Sequence, residues 1–277
     1  MIRLGDLPAG HPGRSLLTGM TLLMASQTDQ RFSYRLFVPH DHRDDEAPLT
    51  IWVLVHGTER RHEHLLEAAA AQAAERRAVV VAPLFPAGIG DPDDVHNYKM
   101  IEQDGVRYDL LLLSMIDEVA QRWNVATEKF VLGGHSGGGQ FVHRFAYLHP
   151  HRLTALSIGA PGRVTLPTTD RWWHGLGDVE DRFGTSVDLD AVAAVPTQIV
   201  IGSLDRDPTA VAPSPGGPDR MSRAEALRDG LRAIGAHVQF DVVDGVAHDV
   251  MGIIPTMLSF MRGVDDALSS AVAPPER

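Results

Sequence analysis

One run of seven residues constrains this chain more than any other feature: Thr50-Ile51-Trp52-Val53-Leu54-Val55-His56. The run is apolar, β-rich and continuous, and Pro48 and Gly57 bound it. A strand on a half-exposed sheet alternates polar and apolar residues. A strand without a polar face must be covered on both sides. Crossover helices supply such cover, so this run predicts a mostly parallel sheet with helices on both faces.

The rest of the chain keeps that rhythm. Residues 16–25 and 32–38 read as two strands joined by a polar turn. An alanine-rich helix is expected over 63–77, then a buried strand over 79–82 stopped by Pro83. A long irregular loop spans 85–105, and loops of that length are usually functional or mobile. Leu112, Ile116, Val119 and Trp123 stand at helical spacing within 108–123. Strands follow at 129–132, 153–158, 197–201 and 237–242, with helices at 140–148, 220–234 and 250–262. Residues 160–195 break the alternation with prolines, Trp172, Trp173 and a charged run. The expectation is a single α/β domain over 1–277 with a short cap insertion at about 160–195 and a frayed tail at 271–277. With 277 residues, 44% of them hydrophobic, the chain has material for one large core.

The formal net charge is −11. Such a surface repels phosphate backbones and anionic lipid heads, so no nucleic-acid or membrane partner is expected. It also slightly disfavours strongly anionic substrates. The absence of cysteine excludes disulfides, thiolate metal sites and a thiol nucleophile. Residues 1–13 carry no apolar core of a secretory signal, and 16–25 is too short to span a bilayer. A cytoplasmic location is the expectation. Arginine far outnumbers lysine, of which only Lys99 and Lys129 occur.

Chemistry concentrates in three places. Gly134-His135-Ser136-Gly137-Gly138 matches G-x-S-x-G and lies directly between an expected strand and an expected helix. That context is what a nucleophile elbow needs: a turn tight enough to lift the serine hydroxyl above the sheet, with glycines where backbones approach. Asp205 follows the strand at 197–201, and an acid there faces the crevice at the strands' C-terminal ends. Asp207 is its rival. His248 follows the last strand, in Asp244-Gly245-Val246-Ala247-His248. The order Ser, Asp, His, each just beyond a strand, is that of a hydrolase triad. The amides of Thr58, after His56-Gly57, and of Gly137, after the serine, are the candidate oxyanion donors.

These residues resemble the α/β-hydrolase superfamily over about residues 30–265. Val53 to Gly57, Gly134 to Gly138, Asp205 and Gly245 to His248 carry the resemblance. The segment 108–138 is loosely similar to the polyhydroxybutyrate-depolymerase-like and feruloyl-esterase-like branch. The chain departs from secreted members in lacking cystines and in placing His135 before the serine, which points away from a secreted polymer-degrading role. The resemblance implies an α/β-hydrolase fold and a cofactor-free serine hydrolase that cleaves a small to medium carboxylic ester. Ser136 would form the acyl-enzyme, His248 would act as general base and Asp205 would orient it. Amide or peptide cleavage, C–C bond hydrolysis and acyl transfer remain alternatives with the same triad, and so does a non-catalytic binding scaffold.

Other residues are less specific. Trp172 and Trp173 read equally as the lining of an acyl or alcohol pocket and as pins holding the cap. Tyr98 and His135 are further pocket candidates. His62 and His64, with Glu59 and Glu63, lack the spacing to put two ligands on one helical face, so no metal site is expected. No cofactor fingerprint is present. The sequence does not fix the oligomeric state.

Overall fold

The structure is a computed structural model that describes residues 2–8, 10–43 and 46–272, with side chains described to residue 264. Residues 273–277, most of the expected frayed tail, lie outside the described residues.

The N-terminal part supplies the antiparallel edge. Strands β1 (Gly19–Met20) and β2 (Met24–Ala25) both pair with β3 (Ser33–Val38). One continuous strand was expected over 16–25. Instead Pro12–Leu16 forms a 3-10 turn, and the pairing slips by one residue between Met20↔Phe37 and Met24↔Tyr34. Leu22 and Leu23, in the slip, are exposed. An edge needs only local pairing, so the apolar run is not used as a whole.

Then β4 (Thr50–Val55), α1 (His62–Glu75) and β5 (Ala78–Leu84) follow. Strand β5 runs through Pro83 instead of stopping there. Pro83 faces Tyr34 and lies past Val81, the last residue paired with β4, so no parallel ladder bond is lost at its missing N–H. The long loop after β5 carries a 3-10 turn at Asn97–Met100 and a small hairpin of β6 (Glu102–Gln103) and β7 (Val106–Arg107). Helix α2 (Tyr108–Ala120) leads to β8 (Phe130–His135), α3 (Gly137–Leu148) and β9 (Leu153–Gly159). Two short helices, α4 (Val179–Phe183) and α5 (Leu189–Ala194), lie in the irregular stretch. Regular alternation resumes with β10 (Thr197–Gly202), α6 (Arg220–Ala233), β11 (Val238–Val243) and α7 (Val250–Val272).

Among the described residues the main sheet runs β1-β3-β5-β4-β8-β9-β10-β11, with β2 also on β3. From β5 to β11 every pairing is parallel. Residues 51–55 are fully buried, as a two-sided apolar strand requires. Helices α1 and α7 meet over one face, while α3 packs on β4, β8 and β9. The N-terminal edge is tied down by a buried side chain. The Glu118 carboxyl group on α2 accepts from the Ser26 hydroxyl at 2.9 Å, the Gln27 amide at 2.8 Å, the Thr28 amide at 3.3 Å and the Tyr34 hydroxyl at 3.1 Å. Among the described residues no helix is long and apolar enough to cross a membrane.

The fold matters for function at one end. The loops after β4, β8, β10 and β11 all leave the C-terminal edge of the parallel strands, where they converge.

Candidate active site

Strand β8 passes directly into α3 through Ser136. Its Gly133 and Gly134 stay in the ladder opposite Leu54 and Val55, so the strand is longer than its apolar residues alone indicate. The glycines after the serine form the first turn of α3. Gly138 has no room for a side chain: a Cβ there would collide with the Val55 carbonyl. Ser136 itself sits at φ 57°, ψ −110°, a conformation that non-glycine residues rarely adopt. Its amide donates to the Gly159 carbonyl at 2.8 Å, which holds the turn in place.

The structure brings the three expected side chains together. The Ser136 hydroxyl lies 2.9 Å from His248 Nε2, and His248 Nδ1 lies 2.7 Å from Asp205 Oδ2. With the serine donating, Nε2 accepts and the ring proton sits on Nδ1, aimed at the carboxylate. Asp205 is 3% exposed and takes a second bond from Arg220 Nη1 at 3.1 Å. Burial works against its charge. The His248 hydrogen bond, the His248 charge and Arg220 outweigh that and hold its pKa below the usual carboxylate value. The rival Asp207 turns away: its carboxylate accepts from the Thr209 amide at 2.8 Å and hydroxyl at 2.7 Å, capping a short 3-10 turn.

The two residues named from the sequence as oxyanion donors lie next to each other. A Cβ on Gly137 would come within 3.1 Å of the Thr58 nitrogen. The Gly137 amide opens α3, so it has no partner within its own helix and sits at the positive end of the helix dipole. The loop that carries Thr58 is fixed by His56. The Phe85 amide donates to His56 Nε2 at 3.0 Å, so the ring proton is on Nδ1, which donates to the Gly57 carbonyl at 2.8 Å. Burial first, then Arg60, brings the His56 pKa down to about 3, so this ring is neutral. His56 thus acts as a bracket beneath the Thr58 loop.

Two cavities open on Ser136. The first, of about 440 Å³, is lined by His248, His135, Thr58, Glu59, His64 and Arg220 among others. The second, of about 230 Å³, shares Thr58, Ser136 and Arg220 with it. His135, a pocket candidate from the sequence, lines the first. Trp172 and Trp173 line neither, which fits the second of their two readings, and Tyr98, expected as a pocket residue, lines neither as well. Trp172 packs edge-on against Phe183 and donates to the Met100 carbonyl at 3.3 Å. The Arg144 and Arg163 guanidinium groups both stand over the Trp173 ring. Tyr98 is fully buried under the elbow, and its hydroxyl donates to the His56 carbonyl at 2.8 Å. All three brace the site from outside the cavities.

His62 and His64 diverge as their spacing predicts: His62 is buried, while His64 faces the first cavity. Among the described residues no group of three or more histidine, aspartate or glutamate side chains is placed to hold a metal ion. Sequence reasoning missed Arg220, Lys99, Arg163 and Gln140. They come from four separate elements, and no local spacing marks them.

No protein-family model matches the sequence, and no curated protein matches it. Solved structures do match in fold. Poly(aspartic acid) hydrolase-1 from Sphingomonas sp. KT-1 is 20% identical, with a TM-score of 0.71 over 87% of this chain and 98% of its own. The poly(3-hydroxybutyrate) depolymerase from Bordetella parapertussis is 24% identical, with a TM-score of 0.64 over 88% of this chain and 85% of its own. A ferulic acid esterase is 14% identical, with a TM-score of 0.61 over 88% of this chain and 96% of its own. The fold of this chain is the α/β-hydrolase fold.

Proposed function

We propose that this protein is a serine hydrolase that cleaves a carboxylic ester through an acyl-enzyme on Ser136. The observation that carries this reading is the unbroken relay from Ser136 Oγ to His248 Nε2 at 2.9 Å and from His248 Nδ1 to Asp205 at 2.7 Å. A binding scaffold needs a cavity; it has no use for this relay on a strained serine.

The steps follow from the geometry. Ser136 attacks the acyl carbonyl as its proton passes to His248 Nε2. Asp205 keeps the imidazolium oriented and offsets its charge. The Thr58 and Gly137 amides receive the oxyanion, each contributing roughly 3 kcal/mol to transition-state stabilisation. His248 then protonates the leaving group, and water, activated by the same ring, releases the acid. No step calls for a metal or cofactor. On this reading, residues 160–195 act as a cap on the single domain, walling the second cavity through Gly162 and Arg163. A ferulic acid esterase and a poly(3-hydroxybutyrate) depolymerase among the structural neighbours favour an ester. A poly(aspartic acid) hydrolase keeps an amide as the second reading. The location we infer is cytoplasmic.

The test is fluorophosphonate labelling of the native protein and of Ser136→Ala, alongside p-nitrophenyl esters from acetate to octanoate. Stoichiometric labelling that the substitution abolishes, with turnover peaking at one acyl length, supports the reading. Folded native protein that takes no label overturns it.

A further inference from the structure

The second cavity has a wall of unusual charge. Lys99, one of only two lysines in the chain, is 2% exposed there, with Nζ 2.7 Å from His96 Nδ1. The Arg163 guanidinium stands 5.4 Å over the Trp173 ring, and among the described residues no carboxylate pairs with it. Arg220 uses Nη1 on Asp205 and Nη2 on the Ala210 carbonyl, while its buried Nε has no partner. Gln140 is 7% exposed, and its buried Oε1 has no hydrogen-bond partner among the described residues. Its Nε2 lies 3.1 Å from where a Gly162 side chain would begin, at the cavity wall. No carboxylate lines this cavity among the described residues. Burial, then the Arg60 and Arg163 charges, pull the Lys99 pKa down to about 7. Fixed cationic donors crowded around a cavity without a carboxylate are complementary to an anion.

The direction of the reaction decides which part of the substrate enters. His248 must protonate the leaving group, and His248 lines the first cavity, not the second. The leaving group therefore occupies the first cavity and the acyl chain the second. We propose that the second cavity is a carboxylate subsite for the acyl chain, with Arg163, Lys99 and Gln140 as its donors, so that the substrate is a monoester of a dicarboxylic acid. This rests on reading Ser136 as the nucleophile. It also reverses, locally, what the net charge of −11 implies, because a short-range wall of donors outweighs a screened surface field.

The test compares mono-p-nitrophenyl glutarate with its neutral methyl ester. The free carboxylate should raise kcat/KM roughly tenfold or more, as one charge-assisted contact does. Arg163→Gln and Lys99→Met should each remove most of that ratio. Arg163 is only partly buried, so its substitution leaves the fold intact. In Ser136→Ala, calorimetric titration with glutarate should show binding that Arg163→Gln abolishes. Hydrolysis of both esters without preference for the acid overturns the subsite and leaves the hydrolase reading standing. If neither ester turns over and no label is taken, the hydrolase reading fails and the acyl-chain subsite falls with it, whatever the glutarate titration shows.

Discussion

His135 and His248 lie nearly face to face, with ring centroids 4.7 Å apart and planes 31° from parallel. Burial, then the His248 charge, brings the His135 pKa down to about 3, so His135 is neutral when His248 is protonated. The neutral ring restricts rotation of His248 without repelling its proton. His135→Ala should lower kcat about tenfold with little change in KM, because a loosened base is misplaced at the moment of attack. His135→Phe should restore most of it, since a flat apolar ring can fill the same stack. Steady-state kinetics on the three proteins checks this, and equal losses in both variants would count against a stacking role.

Three buried histidines predict how stability depends on pH. His56 and His135 are brought down to about 3 by burial, and His143 well below its usual value by burial and Arg144. Between about pH 6.5 and 3 the unfolded chain binds protons at these positions that the folded chain does not. Stability therefore rises with pH across that window and is lost as pH falls. His56 and His135 each contribute about 1.4 kcal/mol per pH unit across that window, and His143 adds in the same direction. Denaturant midpoints measured at several pH values should fall steeply below about pH 6. His135→Phe should lower that slope by about 1.4 kcal/mol per pH unit.

Asp205 and Asp207 stand two residues apart in one loop, yet only Asp205 faces His248. Asp205→Asn should reduce kcat by about 10³ to 10⁴-fold, since an amide leaves the histidine tautomer unfixed. Asp207→Asn should leave kcat/KM within about threefold, in line with surface substitutions away from a site. Kinetics of the two variants, side by side, tests the assignment.

Gly137 predicts a rescue. A Cβ there would strike the Tyr98 hydroxyl and come within 2.9 Å of Lys99 Cε. Gly137→Ala should lower kcat about 10²-fold by displacing the oxyanion amides. Adding Tyr98→Phe removes the nearest obstructing atom and should recover a substantial part of the loss. A double variant no better than the single one would place the clash elsewhere.

Much of this molecule was legible because single residues carry strong local constraints. Thr50–Val55 had to be a covered strand, and the glycines around Ser136 had to make a tight turn. Boundaries were less legible. Gly133 and Gly134 read as turn residues but serve in the ladder, where backbone pairing outweighs their weak strand preference. The roles of Trp172, Trp173 and Tyr98 could not be read, because an aromatic ring packs equally well on a cavity wall or behind one. Arg220 was hidden for another reason. It meets Asp205 from 15 positions further along the chain, and such a meeting leaves no periodic trace in a sequence.

Glu118 has a consequence for how the protein fails. Its carboxyl group holds the turn after β2 and the Tyr34 hydroxyl of β3 against α2. Strand β3 in turn occupies the outer side of β5. If that clasp opens, the antiparallel edge peels away while the parallel strands remain. The newly bared edge of β5, from Val80 to Leu84, then carries unpaired backbone groups, interrupted only at Pro83, ready to template a strand from another molecule. Loss of this one buried carboxyl would thus appear first as turbidity and self-association, ahead of any loss of helical signal.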